Sequence, residues 1–331
     1  MFEIVFLGTS SAAPSIYRGL PSVAVLAGEH RFLVDCGEGT QRQILRSRIG
    51  FKRLTHILIT HSHLDHILGI GGLVSTFTRW ETSIDELHFY AGRKALERIH
   101  ALIYDVVLRG EPTPPIPIYL HEISPGLIFE AKAFTISAFP VQHRGAGCFG
   151  FVFQERPRRP FLPEQASALG VPFGPERSEL VRGENLTLTD GRIITPDMVL
   201  GETIQGTKVV FTGDTGRTDN IVEHAHDADA LVCEATFLDK DRELARQFGH
   251  ITAHEAGILA RDAGVRSLLL QHISRRYRES DMIHEARAAF QHSHVVRDLD
   301  HFIVRRGELA EKKQVETPSD ENDDVDETAL G

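Results

Sequence analysis

ILITHSHLDHILG, residues 57–69, sets three histidines and an aspartate directly behind an apolar run. His61, His63, Asp65 and His66 follow the spacing H-x-H-x-D-H. Polar groups cost free energy to bury unless they are paired, so this cluster beside a buried strand requires a partner. Imidazole and carboxylate suit a divalent transition metal such as zinc, and a strand end presents successive residues to a cleft. Residues 61 and 63 project from one side of the turn and 65 and 66 toward a second point, a pattern that fits two ions better than one. A set of surface histidines capping the helix that starts near Asp65 would explain Asp65 but not all three imidazoles.

Outward from this stretch, strands and helices alternate. FEIVFL (2–7) reads as a strand closed by Gly-Thr-Ser-Ser, and VAVLA and RFLVDC as a hairpin across Gly28-Glu29-His30. HILIT (56–60) is a short strand, 66–78 a helix, LHFYA (87–91) a strand, and Arg93 to Leu108 a helix. In the second half AFTISAF (133–139), CFGFVF (148–153), KVVFTGD (208–214), DALVCEA (229–235) and VRSLLLQH (265–272) read as strands, with helices over 253–263 and 279–290. Such interleaving predicts a layered α/β protein with two similar sheet–helix halves. Three further metal-ligand candidates follow apolar strands: His143 after 133–139, Asp214 ending KVVFTGD, and His272 ending RSLLLQH. Asp214 could bridge two ions.

With 331 residues the chain can bury a large core. Net charge is −10, of which residues 309–331 carry −6 and the remainder −4; that stretch reads as a disordered acidic tail after a domain spanning 1–308. Cys36, Cys148 and Cys233 are odd in number and never in C-x-x-C spacing. They read as buried thiols, which points to the reducing cytoplasm. No apolar run is long enough for a membrane span, and the N-terminus lacks the basic region of a signal peptide.

Residues 155–206 break the alternation, with five prolines between Pro157 and Pro175 and glycines at 170, 174 and 183. The segment is too long for an ordinary loop and reads as an inserted functional arm rather than a floppy surface excursion.

FLGTSSAAP (6–14), LVDCGEGTQ (33–41), THSHLDHILGI (60–70), FTGDT (211–215), EATF (234–237), GHITA (249–253) and HISRRY (272–277) occur in this order. The set resembles the metallo-β-lactamase superfamily and, more narrowly, the ribonuclease Z family, from residue 1 to about 305. LGVPFGP (169–175) is similar to the glycine-proline motif of that family's tRNA-gripping arm. The resemblance implies a four-layer αββα metallo-β-lactamase sandwich with an inserted substrate-binding arm. It also implies two zinc ions per chain, a homodimer, and cleavage of the 3′ trailer from precursor tRNA. By the same resemblance one zinc takes His61, His63 and His143, the other Asp65, His66 and His272, with Asp214 shared. Asp65 takes the role of general base and His250 that of proton donor to the leaving 3′ oxygen, oriented by Glu234. Gly174 and Pro175 on the arm, with Arg18 and Arg276, take up substrate.

The loop after the first strand departs from the family's P-x-K-x-R-N pattern, having Pro14, Ile16, Arg18 and Gly19. Without the Lys and Asn, rejection of tRNAs that already carry CCA is in doubt. Cys233 and Ile251 stand where His and Ser are common, away from the ligands. RNA binding by a chain of net −10 requires local positive charge. Arg156, Arg158, Arg159, Arg177 and Arg182 lie on the arm, and Arg275, Arg276 and Arg278 follow His272. A general phosphodiesterase or a lactonase-like small-molecule hydrolase would share the metal motif but would not need the arm.

Overall fold

Apolar runs with both faces covered build two large sheets in the computed structural model, which describes residues 1–79, 84–109 and 114–313. The strands of the first half are β1 (Phe2–Gly8), β2 (Ser22–Ala27), β3 (His30–Val34), β4 (Leu54–Leu58), β5 (Leu87–Ala91), β6 (Ile118–Glu122), β7 (Gly126–Glu130), β8 (Phe134–Pro140) and β9 (Phe149–Glu155). There follow β10 (Leu186–Thr187), β11 (Ile193–Ile194), β12 (Lys208–Phe211), β13 (Ala230–Glu234), β14 (Ser267–Gln271), β15 (Ser293–Val295), β16 (His301–Val304) and β17 (Glu311–Lys312). One sheet has the order β17-β16-β1-β2-β3-β4-β5-β6 and the other β15-β14-β13-β12-β9-β8-β7.

Alternation along each strand sorts side chains between layers. Ile4, Phe6, Phe32 and Val34 of one sheet meet Ile136, Phe151, Phe153, Val209, Phe211 and Leu269 of the other in the central core. Val5, Leu7 and Leu33 face outward onto Leu73, Phe77, Ile99 and Ile103 of the helices over the first sheet. Val210, Leu231, Leu268 and Leu270 face Ala256, Leu259 and Met282 of the helices over the second. The result is the expected αββα order of layers. Phe32 meets Phe134 and Phe153 edge-to-face at 5.8 and 5.6 Å, and such pairs add about 0.5–1.5 kcal/mol each beyond their burial.

The chain divides into two units, Met1–Gln154 with the chain from Thr207 onward, and Glu155–Gly206. The second has its own core of Ala166, Val171, Leu180, Ile194, Val199 and Leu200 and its own two-stranded ribbon, β10 with β11. Two short helices in it, Pro163–Ala168 and Pro175–Val181, begin with proline at the first turn, where the missing N–H has no intrahelical partner to lose.

Two expectations change. The helix from Arg93 is α only to His100 and runs as a π-helix over Ala101–Val107. The wider turn brings Leu102 and Val107, five residues apart, against the same glycine, Gly71. The stretch expected to be disordered from residue 309 is ordered at its start: Ala310 is buried, and β17 pairs with β16 through Phe302 opposite Lys312. Residues 314–331 of that expectation lie outside the described residues.

At the β6 end of the first sheet, His56 packs on His88 at 4.9 Å and meets the edge of Phe129 at 5.0 Å. Burial, then the neighbouring His88 and His30, lower its pKa to about 4 against the partial opposition of Glu86. The unfolded chain, with an ordinary value of about 6.5, therefore binds more protons between these limits. The sign is a loss of stability as pH falls from about 6.5 toward 4. We expect the urea midpoint to fall from pH 7.5 to pH 5, and His56→Phe to lessen that fall. Equal pH dependence in both proteins would rule out His56 as a source.

Candidate metal centre

The ends of β4, β8, β12, β13 and β14 meet at one edge of the sandwich. His61 follows β4 by three residues, and the short helix Leu64–Ile67 places Asp65 and His66 on the next turn. Only glycine fits at residue 69, where a Cβ would lie 2.0 Å from the Gly37 carbonyl oxygen, so the helix packs tightly on the turn after β3. Gly213, at φ +61, turns the chain beside Thr60 and delivers Asp214. His143 lies beyond β8, and His272 directly after β14 in the left-handed region, at φ 57.

Asp214 is the hub. Its Oδ2 lies 3.3 Å from the Nε2 atoms of both His66 and His272, 3.7 Å from that of His61 and 3.9 Å from that of His143. Asp65 Oδ2 lies 3.6 Å from the Nε2 atoms of His66 and His272 and accepts from the Ala12 N–H. His63 brings Nδ1 to 3.2 Å from His143 Nε2. All seven sequence-predicted ligands thus come together in two sets, His61, His63, His143 and Asp214, and Asp65, His66 and His272, whose donor atoms lie within 4.8 Å of one another in each. His250 joins Asp214 and His272 in a third such set.

Hydrogen bonds behind the histidines fix their tautomers. His66 Nδ1 donates to Asp35 at 2.8 Å. Thr60 gives its hydroxyl proton to Asp35, so its oxygen accepts from His61 Nδ1 at 3.0 Å. Thr236 likewise donates to Glu234 at 2.6 Å and accepts from His272 Nδ1 at 2.8 Å. His143 Nδ1 donates to the Gly249 carbonyl at 2.6 Å. Each Nε2, once it gives up any proton, presents its lone pair to the cluster, and the Nε2 atoms of His61, His66 and His272 are buried without a hydrogen-bond partner. Buried acceptors left unpaired cost about 1–3 kcal/mol each. A metal ion satisfies all of them, and N/O donors of this kind fit zinc.

Protons compete with a metal for these lone pairs: against burial, Asp214 and Asp35 raise His66 well above the ordinary imidazole value. Burial opposes ionisation of Asp214, but His272 and His66 outweigh it and hold the carboxyl well below the usual range. Asp65 is likewise held low, against burial, by His272 and His66. His61 is driven well below the ordinary imidazole value, chiefly by burial. Burial would lower His250 too, but Glu234, whose oxygens lie 3.0 and 3.1 Å from His250 Nδ1, raises it to about 9.

Glu234 stands where the sequence placed it, buried and accepting from the Thr215 N–H and Thr236. Arg18, expected as a substrate contact, lines the cleft beside Tyr17 with its guanidinium already engaged. Its guanidinium is bound to Glu279 at 2.6 Å, to Thr9 and to the Val296 carbonyl, so it ties the loop to the C-terminal segment instead of offering a free cation. A cleft of about 670 Å³ between Ser10, Tyr17, Ile273 and Tyr277 is lined by Arg275, while the expected Arg276 is exposed outside its lining. Gly174 and Pro175 are exposed on the separate unit, where Arg177 lies 3.7 Å over the ring of Phe173. Asp35, Thr60 and Thr236 escaped sequence reasoning. Asp35 did carry a signal, since it ends an apolar run as Asp214 does.

With this geometry established, likeness to known proteins becomes specific. The beta-lactamase superfamily domain matches residues 30–203 and 187–273. Ribonuclease Z of Bradyrhizobium diazoefficiens is 45% identical over 304 residues, covering 92% of this chain and 100% of that protein. The chain belongs to the ribonuclease Z family. Among solved structures, the metallo-β-lactamase fold protein YhfI of Bacillus subtilis shares the fold with a TM-score of 0.64 and 19% identity, covering 92% of this chain and 100% of that one. The short form of human tRNase Z does so with 0.63 and 24%, covering 91% and 99%. No helix among the described residues is long and apolar enough to cross a membrane.

Because Asp35 orients two ligands through His66 and Thr60, Asp35→Asn should weaken metal retention by roughly 10–100-fold, read as loss of metal during dialysis against a chelator. Retention equal to that of the parent would mean that the imidazoles are oriented without it.

Proposed function

We propose that this chain is a zinc-dependent endoribonuclease that cuts the 3′ trailer from precursor tRNA. The observation that carries the reading is the gathering of seven candidate ligands, Asp214 among them, with the His250–Glu234 pair beside them. Membership of a family whose named member is 45% identical over its whole length supports the reaction class. Two zinc ions are proposed, held by His61, His63 and His143 and by Asp65, His66 and His272, with Asp214 between them. When bound, such a pair supplies Lewis acidity to the phosphoryl oxygens and lowers the pKa of water.

Asp65 Oδ2, anchored by the Ala12 N–H, is placed to accept the proton of the attacking water. His250, held by Glu234 through Nδ1, keeps Nε2 free to hand a proton to the departing 3′ oxygen. The water proton thus ends on Asp65 and the His250 proton on the new 3′ hydroxyl, leaving a 5′ phosphate on the trailer. The exposed Phe173, Gly174 and Pro175 of residues 155–206 and the exposed Arg275 and Arg276 offer surfaces for RNA. A homodimer is part of the proposal, since Leu64 and Leu68 lie one turn apart and are 53% and 44% exposed. Three buried free thiols fit a cytoplasmic site of action.

Elemental analysis of protein purified without added metal should find about two zinc ions per chain; full activity with one or none would end the dinuclear reading. His250→Ala should keep that metal and nearly normal affinity for precursor tRNA while cleavage slows by roughly 10²–10⁴-fold. Parallel loss of metal and affinity would make His250 structural.

The arm admits a cleaner test than removal of part of its core. A Cβ on Gly206 would lie 2.3 Å from the Glu155 carbonyl oxygen, so the insertion leaves and rejoins at adjacent points. A short Gly-Ser linker in place of 157–204 should therefore retain zinc and hydrolysis of bis(p-nitrophenyl) phosphate but lose cleavage of precursor tRNA. If tRNA cleavage persists in a deletion that keeps its metal and oligomeric state, a general phosphodiesterase becomes the better reading.

A further inference from the structure

A second group of imidazoles lies away from the catalytic edge, on the strands β4, β5 and β6. His56 is paired in register with His88, His88 with Tyr119, and Tyr90 with His121. Side chains in register on one face stack: His88 lies between His56 at 4.9 Å and Tyr119 at 4.8 Å, each 17° from parallel. His121 lies over Tyr90 at 4.5 Å. The rings of His88 and His121 are therefore clamped by their neighbours, with His88 Nδ1 and His121 Nε2 facing each other at 2.9 Å.

Glu86 determines what these nitrogens can do. Its Oε1 lies 3.1 Å from His88 Nε2, which places the His88 proton on Nε2 and leaves Nδ1 as a lone pair directed at His121. A carboxylate holding the far nitrogen of a histidine is the arrangement found behind metal-ligating imidazoles. In the free protein the His121 N–H fills the gap as a donor to His88. A move of that proton to the other ring nitrogen of His121 would leave two lone pairs converging. Their 2.9 Å separation matches two neighbouring ligands at about 90° on bonds of about 2.0–2.1 Å. That angle suits square-planar or tetragonal copper(II) or nickel(II) better than tetrahedral zinc. His88 and His121 are partly exposed and the Glu86 side chain is 48% exposed, so solvent can complete the coordination.

We propose that His88 and His121, oriented by Glu86, form a peripheral site for copper(II) or nickel(II), separate from the catalytic centre. Burial and the adjacent His88 lower the pKa of His121, which favours the neutral ring a metal needs.

Full-length protein carrying its own metal would be titrated with copper(II), with uptake counted and nitrogen coupling read by electron paramagnetic resonance. The parent should take up one more equivalent than His88→Gln or His121→Gln and show coupling to two imidazole nitrogens. Glu86→Gln should keep the equivalent but bind it roughly 10–100-fold more weakly. Should either glutamine variant fail to fold, His121→Phe preserves the ring stack and removes the donor. Equal uptake and an unchanged spectrum in the variants would overturn the site and leave a hydrogen bond between two histidines.

Discussion

Two buried carboxylates, one at the end of a strand in each sheet, determine the state of the whole catalytic cluster. Asp35 follows β3 and takes the protons of Thr60 and His66; Glu234 ends β13 and takes those of Thr236 and His250. Through the two threonines their influence reaches His61 and His272, so the tautomers at the centre are set by carboxylates that lie behind the cluster. Without Asp35 or Glu234 each imidazole could turn its protonated nitrogen inward, and Asp214 would then be satisfied by hydrogen bonds instead of being available to a metal. The network is costly to bury, since partly satisfied polar groups in a low dielectric are among the most destabilising features of a core. It persists because every oxygen and every Nδ1 in it has a partner, while the unpaired Nε2 atoms of His61, His66 and His272 all point at one place.

The sandwich supplies the rigidity that this requires. Each contributing strand is packed on both faces, the inner against aromatic rings and the outer against helices, so the strand ends cannot shift independently. Asp35 and His272 both sit just past strand ends with left-handed backbones, φ 60 and 57, conformations unfavourable for residues with side chains. The surrounding structure holds that strain: the Asp35 N–H bonds to the Leu58 carbonyl, and the Ile273 N–H to that of Thr9. Backbone strain thus coincides with the residues that aim the donors.

Much of this was legible in the sequence for a physical reason. A ligand that follows an apolar strand sits at a sheet edge, so His61, His63, Asp65, His66, His143, Asp214 and His272 could be placed on one edge before any contact was known. A layered α/β protein with two similar halves followed from the alternation of strands and helices, and the four-layer order from the family resemblance. What could not be read were partners brought from distant segments. Nothing near Arg18 in sequence announces Glu279, 261 positions away, and that ion pair makes Arg18 a tether within the cleft lining. Likewise, nothing local marks Thr60 and Thr236 as relays, because threonine just past a strand end is ordinary. The strand β17 was missed because two residues within an acidic run carry almost no pattern; pairing with β16 gives them their structure.

The charge balance gains meaning from the same distinction. Many arginines in this chain are occupied: Arg18 and Arg297 by Glu279, Arg159 by Asp197, Arg217 by Asp219 and Arg242 by Asp239. An arginine already paired with a carboxylate brings no net charge to a phosphate and must exchange one partner for another to bind it. Exposed pairs of this kind are worth little, so that exchange is cheap for Arg217, whereas Arg18 is largely buried and also bonded to Thr9 and the Val296 carbonyl, contacts that an exchange would break. Arg275, in the cleft after His272, carries no such pair among the described residues, so it can meet a phosphate without giving up a carboxylate. Position relative to the histidine–aspartate cluster, more than overall charge, is what sets Arg275 apart among the arginines.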